Sequence, residues 1–187
     1  VSTTFAEDDS KISDILKACK RGNISNLELG SNHVYEKKFQ KIVKQYDFHF
    51  LVHNYFPIPK KAFVVNIASL NRSLRNLSLK HIKRSINFCK NINSKLYTFH
   101  PGFISDPIEA NRSKKNYDFL WGNDILNNNY RLAFDQMIFS LKKIVKFAKK
   151  KNIKIAIETQ GAFKKKNFLL MQRPEEYQKL FQFFTPT

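Results

Sequence analysis

The sequence predicts an α/β fold in which parallel strands are joined by helical crossovers. Three observations predict it. Short apolar runs bounded by turn residues recur at residues 48–53 (FHFLVH), 96–100 (LYTFH) and 153–158 (IKIAIE). Longer segments between them place apolar side chains at helical spacing. Each of the three runs also finishes in a side chain that can ligate a metal, namely His53, His100 and Glu158. In parallel sheets ligands collect at the carboxyl ends of strands, so three such endings point to one pocket.

Taken in order, residues 1–4 (VSTT) read as the end of a first strand already in progress. A chain that begins this way looks cut or processed, with residues expected upstream. Asp8, Asp9 and Ser10 offer capping groups to a helix with Ile12, Ile15, Leu16 and Cys19 on one side, which Gly22 stops. Residues 26–30 (NLELG) form the second strand. Glu28 is costly to bury unpaired, so it belongs near a strand end or in a polar pocket. A helix over 35–44 turns Phe39, Ile42 and Val43 inward, and the third strand, 48–53, follows. Period two places His49, Leu51 and His53 on one face of it and Phe48, Phe50 and Val52 on the other.

Residues 54–73 hold Pro57 and Pro59 but also Tyr55, Phe56, Phe63, Val64 and Val65, the composition of an ordered loop over a site. Residues 74–91 form an amphipathic helix through Leu79, Ile82, Ile86 and Cys89. The fourth strand ends at His100, where Pro101-Gly102 breaks it. Residues 103–129 are a second long connection, polar yet carrying Tyr117, Phe119, Leu120 and Trp121. The longest helix spans 130–151 on Phe134, Met137, Leu141, Ile144, Val145 and Ala148. The fifth strand follows at 153–158. Pro174-Glu175-Glu176 then opens a final helix with Tyr177, Leu180, Phe181 and Phe184.

The strand–helix alternation occurs about five times, which fits a doubly wound sheet or part of a closed barrel. No glycine-rich phosphate loop follows any strand, which weakens the nucleotide-binding version. A full eight-stranded barrel takes roughly 250 residues, so on that version this chain is its first five-eighths, with strand 153–158 as a bare edge. The 187 residues are 42% apolar, enough for one core in a single domain over 1–187.

No apolar run approaches a membrane span and no signal peptide opens the chain, so a cytoplasmic protein is expected. Cys19 and Cys89 lie on apolar helix faces. They read as buried thiols of a reducing compartment, with a disulfide pair as the alternative. The formal charge of +18 attracts polyanions. Its lysines, clustered at Lys37-Lys38, Lys142-Lys143, Lys149-Lys150-Lys151 and Lys164-Lys165-Lys166, fit either solvated helix faces or a phosphate-binding surface. There is no zinc-finger spacing.

His53, His100 and Glu158 together make a partial ligand set for zinc, manganese or a similar divalent ion. Each alone has a structural reading, since a strand-end histidine is often only hydrogen-bonded and a glutamate can pair with lysine. Three at equivalent positions favour a metal or polar catalytic pocket. Asn54, Tyr55, Asn66 and Gln160 flank these residues and are expected to support them or touch substrate. His33, His49 and His81 are assigned no chemistry.

The runs VHNYF, VVNIAS, LYTFHPGF and IAIETQGAF resemble those of the xylose-isomerase-like TIM-barrel superfamily, most closely in the HPG and IET-x-G segments. Members include sugar and sugar-phosphate isomerases and epimerases and the endonuclease IV type of abasic-site nuclease. The resemblance implies a (β/α)8 barrel, present here as an N-terminal portion of about five βα units. It also implies metal-ligand positions at His53, His100 and Glu158, with Glu158 part of an acid–base pair in epimerase-like members. Glu28 falls at a common strand-two glutamate position. The family's remaining ligands come from strands six to eight, which this chain lacks. The chain therefore reads as part of a longer protein, with a truncated, inactive relative as the alternative. The expected activity is metal-dependent isomerisation or epimerisation of a sugar or sugar phosphate, with phosphodiester cleavage at abasic DNA as the other enzymatic reading.

Overall fold

The computed structural model describes residues 1–7, 9–31, 33–106, 109–110, 119–120, 129–159 and 169–184. Asp8, Tyr117, Trp121, Gln160 and the Lys164-Lys165-Lys166 cluster lie outside them. In chain order the elements are a 3-10 turn (Thr3–Phe5), α1 (Ile12–Arg21), β1 (Asn26–Leu29), α2 (Phe39–Val43), β2 (His49–His53), α3 (Arg72–Asn91) and β3 (Leu96–Phe99). They continue with β4 (Glu109–Ala110), β5 (Phe119–Leu120), α4 (Asn129–Lys149), β6 (Lys154–Ile157) and α5 (Pro174–Phe181).

Period-two alternation organises the sheet. Strands β1, β2, β3 and β6 pair in that order, all parallel. Their register brings Leu29, Val52, Tyr97 and Ile155 into one row, with Phe99 beside Ile157. Leu29, Val52, Tyr97 and Phe99 are fully buried within one apolar cluster that also takes in Ile82 and Ile86 of α3 and Leu141 and Ile144 of α4. The opposite face carries Glu28, Leu51, His53, Thr98 and Ala156. Sequential strand order with helical crossovers is the topology of a barrel wall, one polar face inward and one apolar face outward under helices. Among the described residues β6 pairs only with β3, so its other edge carries no strand.

The first strand is shorter than the sequence suggests. Ser2 alone bridges Glu28 in parallel, and the Ser2 hydroxyl then accepts from Thr4 N and turns the chain into the 3-10 turn. The helix expected over 35–44 also contracts to Phe39–Val43. Only Phe39 and Val43, four residues apart, are buried there, while Tyr35 is exposed. The connection expected at 103–129 contains a two-strand antiparallel pair, β4 with β5. Cys19 and Cys89 are both buried free thiols, as expected.

The loop between β2 and α3, over the carboxyl ends of the strands, is pinned from below by hydroxyls on helix faces. Ser78 and Ser85 of α3 and Ser140 of α4 are fully buried. Asn66 N donates to Ser78 Oγ (2.9 Å), Ser85 Oγ to the Phe56 carbonyl (2.8 Å) and Ser140 Oγ to the Ile67 carbonyl (2.7 Å). Asn66, itself fully buried, joins this loop to the one after β3. Its Nδ2 donates to Asp106 Oδ1 (2.8 Å) and the Phe103 carbonyl (3.2 Å), and its Oδ1 accepts from Phe103 N (3.0 Å) and Ala68 N (3.1 Å). Gly102 passes directly over that amide at φ +114°, and a β-carbon there would strike Asn66 Oδ1. Asn66→Ala is expected to cost about 3 kcal/mol, because it strands buried donors and acceptors on both loops. Urea unfolding of the variant measures this; a loss below about 1 kcal/mol would mean the loops do not depend on the latch.

Candidate metal centre

Three of the four parallel strands deliver a side chain at or just past their carboxyl end to the same rim. His53 ends β2, and Asn54 N donates to the Thr98 carbonyl (2.7 Å), which carries the pairing one residue further before Asn54 turns away at φ +41°. His100 directly follows β3. Glu158 directly follows β6, its N–H still bonded to the Phe99 carbonyl (3.1 Å). These three side chains converge: one ligand atom from each lies within 4.8 Å of the others. The rings of His53 and His100 meet edge to face with centroids 5.2 Å apart, and His53 Nδ1 is 3.4 Å from Glu158 Oε1.

The electrostatics suit ligation. Burial, and next the adjacent His53, hold the His100 imidazole below the ordinary histidine range, in the neutral form that binds metals. His100 Nδ1 faces the Glu158 carbonyl at 3.5 Å, an acceptor that leaves Nε2 for other use. His53 Nδ1 lies 2.8 Å from Thr98 Oγ1. Glu158 supplies the one formal negative charge and, at 40% side-chain exposure, opens to the mouth. Two imidazole nitrogens and a carboxylate are a donor set compatible with a divalent first-row ion. Donors on one such ion stand at most about 4 Å apart, so a small side-chain adjustment closes the set.

Of the other expected residues, Glu28 faces the same interior. Ser2 Oγ donates to its Oε1 (2.6 Å), and its charge is felt at His100. The Asn54 carbonyl accepts from the Tyr97 hydroxyl (2.5 Å), which fixes the backbone just past His53. Tyr55 turns into the loop, where its hydroxyl accepts from Phe63 N (2.7 Å) and its ring packs on Phe63 and His81. Asn66 is the loop latch described above. Gln160 lies outside the described residues. Sequence reasoning missed Ser2 and Thr98; the period-two rule that selected His100 also places Thr98 on the polar face.

The sequence matches the family described as Xylose isomerase-like TIM barrel over residues 13–185. The chain belongs to this family. No curated protein sequence matches the chain. Among solved structures, a D-tagatose 3-epimerase-like protein is 20% identical with a TM-score of 0.68, covering 100% of this chain and 60% of its own. A putative sugar phosphate isomerase/epimerase from Anabaena variabilis is 10% identical at 0.60, covering 99% and 60%. A D-psicose 3-epimerase from Clostridium cellulolyticum H10, solved with D-tagatose, is 10% identical at 0.63, covering 98% and 58%. At these identities the likeness is one of fold. This member of the xylose isomerase-like family spans about three-fifths of the length of those structures and supplies the part of the barrel wall that carries the His/His/Glu cluster.

No helix among the described residues is long and apolar enough to cross a membrane. Lys80, Lys83 and Lys90 of α3 and Lys142, Lys143, Lys146 and Lys149 of α4 stand on exposed faces. Phe147 joins the two helices' basic surfaces, with Lys83 and Lys151 each over its ring.

Proposed function

We propose that the protein acts as a divalent-metal-dependent isomerase or epimerase on a sugar or sugar phosphate. The observation that carries this reading is the convergence of His53, His100 and Glu158 at one barrel mouth in a member of this family. Zinc or manganese fits the donor set, and when bound supplies Lewis acidity that makes the C–H beside a substrate carbonyl more acidic.

The chain's residues do the rest. His53 and His100 present imidazole nitrogens from rigid strand ends. Glu158 faces the mouth and is the group able to take the proton from the substrate carbon. Returning that proton to the neighbouring carbon, while the hydroxyl proton passes to the former carbonyl oxygen, completes an aldose–ketose isomerisation; epimerisation instead returns a proton to the same carbon from a second donor on the opposite face. Glu28, braced by Ser2, adds negative charge on the same interior. The loop between β2 and α3, latched through Asn66, stands at the same end of the sheet as the cluster.

Incubating the protein with a ketose and ketose-phosphate panel in D2O tests the reading. The expected result is metal-dependent deuterium incorporation beside the carbonyl, lost on chelation. A second reading, phosphodiester cleavage at abasic DNA, is supported by the two imidazoles beside the carboxylate and by the charge of +18. Cleavage of an abasic duplex without exchange on any sugar would replace the first reading with the second.

A further inference from the structure

We propose that Thr98 is a positioning residue for His53: its hydroxyl keeps the imidazole in the Nδ1–H tautomer and leaves the Nε2 lone pair for an electrophile in the barrel mouth. The inference rests on the metal-site reading above and deepens it. Thr98 sits on β3, between β2 and β6, and is the register partner of His53 on one side and Ala156 on the other. It is buried, and a hydroxyl there needs a polar partner. Ala156 offers no polar side-chain atom; His53 Nδ1, at 2.8 Å, is the partner.

The same residue holds His53 through the backbone, because the Thr98 carbonyl accepts from Asn54 N at 2.7 Å. Main chain and ring are thus fixed by one residue on a strand paired along both edges. Threonine is stiff at χ1, so the hydroxyl direction is set with the backbone. The second neighbour of Nδ1 is Glu158 Oε1 at 3.4 Å. An ionised carboxylate only accepts, so Glu158 favours a hydrogen on Nδ1, and the Thr98 hydroxyl, which can accept as well as donate, is the nearer oxygen to receive it. Ligating histidines characteristically donate through the ring nitrogen that does not bind the ion, which fixes ring orientation and tautomer.

Thr98→Val keeps the shape and strand preference and removes only the hydroxyl; Thr98→Ser restores it. In the metal-free protein at pH ~8, where ordinary histidines are neutral, long-range 1H–15N spectra read the His53 tautomer. Zinc competition against a chromophoric chelator reads affinity. The expected result is a dominant Nδ1–H tautomer in the wild type, loss of that dominance in Thr98→Val, and about 10–100-fold weaker zinc binding, with both recovered in Thr98→Ser. A folded Thr98→Val protein with the wild-type tautomer and affinity would overturn the proposal. If Thr98→Val does not fold, Thr98→Ala is read by the same criteria. If the wild type binds no zinc, the metal reading fails on its own. The tautomer comparison then decides alone: loss in valine with recovery in serine supports the role of Thr98, and no change overturns it.

Discussion

Glu158→Ala is expected to weaken divalent-metal binding by ~100-fold or more and to abolish sugar-proton exchange, while leaving the protein folded. The site consists of two imidazoles and one carboxylate, and that carboxylate is its one formal negative charge. Without it, two imidazole nitrogens alone must hold a doubly charged ion, a loss larger than the 10–100-fold typical of groups that merely support a ligand. In the proposed reaction the same side chain also accepts the proton, so activity should fall further than affinity. Stability changes little, because the side chain is 40% exposed and its neighbour His53 keeps Thr98 as a partner. Glu158→Gln separates the two roles: the amide oxygen still ligates weakly but cannot take a proton. Calorimetric metal titration of both variants checks this, and unchanged affinity in the alanine variant would remove Glu158 from the site.

Acid should unfold the protein well above the pH at which carboxylates alone would require it. His33 and His81 are buried, and among the described residues neither nitrogen of His33 nor Nε2 of His81 makes a hydrogen bond of good geometry. His33 packs on Phe56, and His81 lies between Tyr55 and Phe63 with Arg84 nearby. Burial pushes both imidazoles down to about 4, against 6.5 for an ordinary histidine. Between those values the unfolded chain binds protons that the native state refuses. The stability these histidines contribute is therefore complete above pH ~6.5 and is lost as pH falls toward 4, by roughly 3 kcal/mol for each. Against the 5–15 kcal/mol typical of a domain, the two together bring the midpoint of acid unfolding to about pH 4–5. Urea unfolding at stepped pH measures the slope. His33→Leu and His81→Leu should each flatten it, and a slope unaltered by either change would show that the histidines are protonated without cost.

The convergence of His53, His100 and Glu158 was legible in the sequence because two simple rules meet there. Strand periodicity fixes which side chains share a face, and parallel sheets gather function at their carboxyl ends. His53, His100 and Glu158 satisfy both, as Glu28 satisfies the first. The hydroxyls were harder. Thr98 within LYTFH, and Ser78, Ser85 and Ser140 on helix faces, look alike in sequence whether they merely fill space or bond to a specific partner. What distinguishes them is a neighbour 12 to 73 residues away. Asn66 is the same case: its position beside the loop was visible, but its use as the latch over Gly102 depends on a fold-level contact.

Element ends failed for local reasons. Residues 1–4 have strand composition, but Ser2 caps Thr4 and turns the chain after a single bridge. The helix begun at residue 35 on pattern alone starts at Phe39, because the lysines before it have no apolar surface to cover and Phe39 has Phe56 and Phe88. His33 and His81 carried no sequence mark of burial, since histidine is common on surfaces and in cores alike.

The central claim is that His53, His100 and Glu158 hold one divalent ion. Anomalous scattering at the zinc edge from a crystal grown with zinc tests it most directly. The account predicts a single strong peak bounded by those three side chains, with His53 and His100 turned toward it through Nε2. A well-ordered mouth with no peak there, or zinc bound only at other residues, would contradict it.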